Sequence, residues 1–157
     1  SKTSNWLIGG RILEDRKSDE TFALMNNNYL VKRWNNKNSQ ANIYLLSSVG
    51  LNTENSKSMA TMGIHGDWEN RQFMVMEMLE HYSYNSAWVS NTRLAYSPFK
   101  ADYSKTSFWF IAHYRVEYHN DSYSYMFFPV VRLFKKNYLF ELGSNGENSF
   151  LSFMTHF

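Results

Sequence analysis

Apolar and polar residues alternate at a period of two along most of this chain. Successive side chains of a strand point to opposite faces, whereas an amphipathic helix needs apolar residues three and four apart. The segment SFWFIAHYRVEYH carries the pattern most clearly. Phe108, Phe110, Ala112, Tyr114, Val116 and Tyr118 fall on one face, and Trp109, Ile111, His113, Arg115 and Glu117 on the other. Ala41, Ile43, Leu45, Val49 and Leu51 likewise oppose Asn42, Tyr44, Ser48 and Gly50, and Met62, Ile64 and Trp68 oppose Thr61, His65, Asp67 and Glu69. In QFMVMEMLEHYSY the pattern predicts Met74, Met76, Met78, Tyr82 and Tyr84 on the apolar face and Glu77, His81 and Ser83 on the polar one. Glu80 is then left on the apolar side.

Polar turn segments such as NNKNS, NTENSKS, HNDS and GSNGEN separate these runs. The spacing predicts about ten antiparallel strands, near 5–14, 21–34, 40–51, 59–69, 72–84, 87–98, 106–118, 122–135, 137–143 and 149–157, with eight as the alternative count. MNNNY interrupts the second strand, and a bulge is expected there. The whole chain, 1–157, reads as a single all-β domain: a closed antiparallel up-and-down β-barrel with short loops on both rims.

Alternation does not say which face is inside, since a soluble lipid-binding barrel alternates equally well. Three features favour a transmembrane β-barrel with its apolar face outward. Lys17, Lys37, Lys57, Lys100, Lys105, Lys135 and Lys136 lie in or beside turns, whereas Arg11, Arg93, Arg115, Arg132, Asp67, Glu69, Glu77, Glu117 and Glu141 lie within strands. A soluble sheet usually blunts its wet face with lysine, while arginine and carboxylate near balance suit pairing across a lumen. The aromatic content is high, 18 %, in a chain of mean hydropathy −0.51. Its rings gather near strand ends: Trp6, Trp34, Trp68, Tyr96 and Tyr138 on one rim, and Tyr82, Tyr84, Trp88, Tyr118, Tyr123 and Tyr125 on the other. This is the placement of two membrane-interface girdles. Most runs also supply the roughly 9–11 residues that a tilted strand needs to cross a bilayer.

The final segment, SFLSFMTHF, resembles the terminal strand of bacterial outer-membrane β-barrel proteins. Phe157 matches their C-terminal aromatic residue, and Phe153 and Leu151 match alternate apolar positions before it, while Thr155 departs from the apolar preference. The resemblance implies localisation in the bacterial outer membrane, lipid contact around the barrel and closure of the last strand on the first. It also implies that Leu151, Phe153 and Phe157 form a signal read by the barrel-assembly machinery.

The remaining side chains narrow the chemistry. The chain has no cysteine, which excludes thiol catalysis, disulfides and cysteine-ligated zinc, and a net charge of +2 is too small to argue for a nucleic-acid partner. His81 and Ser83 repeat the His-x-Ser spacing of outer-membrane lipid A deacylases, but Arg93 lies downstream where such an enzyme needs a carboxylate. Met74, Met76 and Met78 share a face, and thioethers favour Cu(I). His65 and His81 are expected on the opposite face, so neither a metal site nor any other cofactor is expected. His65, Asp67, Glu69, Glu77, His81, Arg93, His113, Arg115, Glu117, Arg132 and Glu141 are expected to form a charge network in the lumen. It would act either as a paired filling or as a polar pathway. The expected function is that of a non-enzymatic outer-membrane barrel, either a narrow channel or a structural element that docks an envelope protein partner. The alternatives are a lipid-modifying enzyme using His81 and Ser83, and a soluble lipid-binding barrel.

Overall fold

The computed structural model describes residues 5–15, 20–55, 57–100, 106–136, 138–146 and 149–155. Ten strands follow in chain order: β1 (Trp6–Asp15), β2 (Glu20–Asn35), β3 (Ser39–Asn52), β4 (Ser58–Asn70), β5 (Phe73–Tyr82), β6 (Ala87–Tyr96), β7 (Ser107–His119), β8 (Ser122–Lys135), β9 (Tyr138–Ser144) and β10 (Ser149–Thr155). Each pairs antiparallel with the next, giving a ten-stranded meander in sequence order. The turns use the chemistry their residues provide. Asn52 and Asn70 each accept two backbone N–H groups of the turn that follows. Asn120 and Asp121, both at positive φ (50° and 56°), make the two-residue connection between β7 and β8.

The sheet is strongly curled. Arg11 on β1 reaches Glu80 on β5, and Arg93 on β6 reaches Glu141 on β9, across the concave face. Among the described residues no ladder joins β1 to β10, so the sheet is open along that seam. Two glycines permit unusually close strand approach. A Cβ on Gly50 would lie 2.0 Å from the Ala23 carbonyl oxygen, and one on Gly63 would lie 2.2 Å from that of Leu79. Gly50→Ala should therefore cost at least the roughly 1–3 kcal/mol typical of overpacking, because the obstacle is backbone. Gly66→Ala, where a Cβ meets nothing within 4 Å, is the control. Chemical denaturation of both variants measures the difference, and equal midpoints would refute the close approach.

The concave face holds two apolar clusters. Phe22, Leu24, Met59, Tyr82, Ala87 and Val89 form one, against which Leu13 and Tyr84 pack. Met74, Ala95, Trp109, Ile111, Phe128 and Val130 form the other, joined by Met126. The convex face is apolar as well. Large exposed hydrophobic side chains occur on every strand, among them Ile12, Met25, Leu45, Ile64, Val75, Leu94, Phe110, Phe127, Leu142 and Phe153 from β1 to β10.

The structure corrects two sequence expectations. The bulge in β2 lies between Leu30 and Lys32, not within Met25–Tyr29. Asn26 stays in register with Ser48, and the extra residue, Val31, exchanges the two faces beyond it. Arg33 consequently turns inward to Asn42, while Trp34 is exposed.

The second correction is that β5 is inverted. Its ladder sets Met78 opposite His65 and Met76 opposite Asp67, so Met74, Met76, Met78, Glu80 and Tyr82 face the interior. Glu77 and His81 lie on the convex face beside Phe73, Val75 and Leu79. This strand is apolar on both faces, so counting apolar residues cannot orient it. Burial of Glu80 against Arg11 does.

Candidate functional site

The interior between the apolar clusters is built from three charge-centred networks. In the first, Arg11 donates to both carboxylate oxygens of Glu80, at 3.1 and 3.2 Å. The Tyr82 hydroxyl also donates to Glu80 (3.2 Å), and Thr61, hydrogen-bonded to Ser48 at 2.6 Å, lies beside it. Glu80 is only 3 % exposed. In the second, Glu141 receives Arg93 at 3.2 Å and Arg132 at 2.6 Å, and Arg132 Nη1 also lies 3.6 Å from Met74 Sδ. In the third, Arg33 donates to Asn42 (2.7 Å), which donates to Asp67 (2.7 Å), and His65 Nε2 lies 3.4 Å from Asp67 Oδ2. His113 Nε2 lies 3.1 Å from Asn91 Oδ1. Arg115 and Glu117 approach at 3.8 Å and stay partly exposed.

The expected lumen residues thus divide. His65, Asp67, Arg93, His113, Arg115, Glu117, Arg132 and Glu141 face the interior, whereas Glu77 and His81 do not. Glu69 stands at a rim, lining a cavity of about 560 Å³ with Lys37, Gln40, Arg71, Trp109 and Arg132. Glu77 instead accepts hydrogen bonds from Ser90 and Thr92 on the convex face. Sequence reasoning counted Arg11 among the strand charges suited to pairing across a lumen, but left Arg33, Asn42, Thr61 and Glu80 out of the interior network. The available signal was Glu80 itself, an acid on a face assigned as greasy.

Most of the expected rim aromatics lie on the convex side. On the rim near the cavity, Trp6 packs on Tyr29 (4.7 Å between ring centres), Tyr96 on Phe73 (5.2 Å) and Tyr138 on Phe153 (6.1 Å). Trp34 lies beneath the Lys32 ammonium, and Trp68 is exposed nearby. On the far rim, Trp88 packs on His81, and Tyr118, Tyr123 and Tyr125 form a row. Tyr82 and Tyr84 are corrections. The inverted β5 buries Tyr82 in the interior, and the turn after it lays Tyr84 on Phe22, 4.9 Å away.

The His81–Ser83 pair does not form a catalytic arrangement among the described residues. Ser83 lies in the turn after β5, and its hydroxyl accepts the Ala60 N–H, while the His81 ring is held against Trp88. A nucleophile needs its base within hydrogen-bond reach, and the base needs an orienting partner. Leu151 and Phe153 are exposed on the convex face. Phe157 lies outside the described residues. Comparisons with protein-family models, with curated proteins and with solved structures find no match.

Proposed function

We propose that this chain is an integral β-barrel of the bacterial outer membrane, non-enzymatic, with an interior plugged by its own charge pairs. The observation that carries the reading is the convex face, which carries large exposed apolar side chains on all ten strands, around an interior that buries Glu80 and Glu141 in ion pairs. A soluble monomer rarely exposes contiguous apolar surface beyond a few hundred Å². Hydrocarbon in contact with that face removes the difficulty. The ring pairs at both strand ends suit the two interfaces. In a bilayer the free edges of β1 and β10 would leave backbone groups unpaired, so closure of β10 on β1 belongs to this proposal. Outer-membrane lipid is then the main partner, and the barrel-assembly machinery acts during biogenesis. The short turns that follow β2, β4, β5 and β7 leave an envelope partner little but the rims to grip.

The test is folding in detergent. The chain should reach a β-rich form whose migration on a gel differs before and after boiling. In planar bilayers it should show little or no steady conductance, because Arg93 on β6 reaches Glu141 on β9 and Arg11 on β1 reaches Glu80 on β5 across the interior. Arg93→Ala should raise the conductance. A monomer that folds and stays soluble without detergent would overturn the membrane assignment. Large stable currents from the unaltered protein would overturn the plugged interior and make transport its function.

A further inference from the structure

We propose that the concave face of β4 and β5 binds a soft monovalent cation, Cu(I) or Ag(I), through the thioethers of Met76 and Met78 and the imidazole of His65. Alternation along the sequence separates these residues onto opposite faces, but the ladder brings them together. His65 stands directly opposite Met78, and Asp67 directly opposite Met76, all on the interior face. Directly opposed residues have Cβ atoms about 4.5–5.5 Å apart, and diagonal neighbours remain within reach of long side chains. Methionine, unbranched with three rotatable bonds, can turn its sulfur toward a shared point.

Packing does not absorb these two thioethers. Met59 and Met74 are members of the apolar clusters and Met126 packs against one, whereas Met76 and Met78 belong to neither cluster and are only half-buried. His65 Nε2 is buried and makes no hydrogen bond among the described residues. The His65 side chain is 25 % exposed, which leaves a route for an ion from the lumen. Asp67 Oδ2, 3.4 Å from that nitrogen, provides negative charge beside the site. Arg93, opposite Met76 on β6, directs its guanidinium to Glu141 at 3.2 Å, so its charge is already paired. Thioether and imidazole ligands select Cu(I) over hard cations. Zinc is disfavoured, because among the described residues no group of three or more His, Asp or Glu side chains is arranged to hold a metal.

The experiment titrates the folded full chain with Ag(I) in chloride-free buffer by calorimetry, and with Cu(I) against a colorimetric chelator. It is run in whichever medium the chain folds, so its outcome is separate from that of the membrane assignment. One equivalent per chain is expected. Affinity should fall at least tenfold in Met76→Leu/Met78→Leu and in His65→Gln, with Zn(II) bound by none of them. Met→Leu conserves volume, so the metal-free unfolding midpoint of the double variant should barely move. Methyl NMR of the unaltered protein gives a second readout, in which Ag(I) should shift the Met76 and Met78 methyl signals and leave those of Met25 and Met62 in place. Absence of Ag(I) binding, unchanged affinity in the double variant, or shifts confined to other methionines would each overturn the proposal.

Discussion

Replacing Glu141 by leucine should lower the unfolding free energy by about 3–5 kcal/mol, the range for breaking a buried ion pair from one side. Glu141 is 5 % exposed and accepts from two arginines, so its removal leaves Arg93 and Arg132 facing each other in a confined interior. The two side chains are only 15 % and 17 % exposed, so their mutual repulsion adds to the lost attraction. Glu117→Gln is the informative comparison. Glu117 approaches Arg115 at 3.8 Å, and the two side chains are 17 % and 30 % exposed, so the change should be clearly smaller than at Glu141, about 1 kcal/mol. Denaturant titrations of the folded protein and both variants measure the contrast. Similar small effects at both positions would mean that the interior is well hydrated, and an open water-filled pathway would then replace the plugged lumen.

The second large effect lies on the opposite face. Ile64→Arg, at the centre of β4 and 49 % exposed, should cost about 2–4 kcal/mol in a bilayer, where an arginine at the midplane of a barrel's lipid face loses its hydration. The same change on a water-facing surface stays within about 0.5 kcal/mol. Ser58→Arg, at the end of the same strand, should cost only about 0–1 kcal/mol, as expected near an interface. Refolding into lipid vesicles at a series of denaturant concentrations gives both values, and a flat response along β4 would remove the membrane from the picture. Glu77 is a charge the convex face already carries. Its carboxylate accepts from the Ser90 and Thr92 hydroxyls, and acids on a barrel's lipid face cost less than arginine or lysine.

Strand number, order and approximate bounds were all legible in the sequence, because period-two alternation and polar turns are local signals. The eighth strand, Ser122–Lys135, has the bounds expected of it, and the others differ by up to two residues at described ends. The inward faces of β4 and β7 were legible too, since His65, Asp67, Arg115 and Glu117 alternate against clean apolar rows. On β5 the same reasoning fails, because Met76 and Met78 on one side and Val75 and Leu79 on the other are equally apolar.

Local patterning alone is enough to specify an all-β meander whose strands place aromatic rings near their ends and charges in their middles. Those features depend on residue type and spacing within one strand. Which residues meet emerges only when the sheet curls: Arg11 with Glu80 across 69 positions, Arg93 with Glu141 across 48, and His65 with Met78 across one ladder. The face of β5 and the slip at Val31 were decided in the same way. A strand with two apolar faces has no preferred orientation of its own, and a one-residue slip exchanges its faces. The choice is made by the partner that a buried charge must find, and that partner lies on another strand.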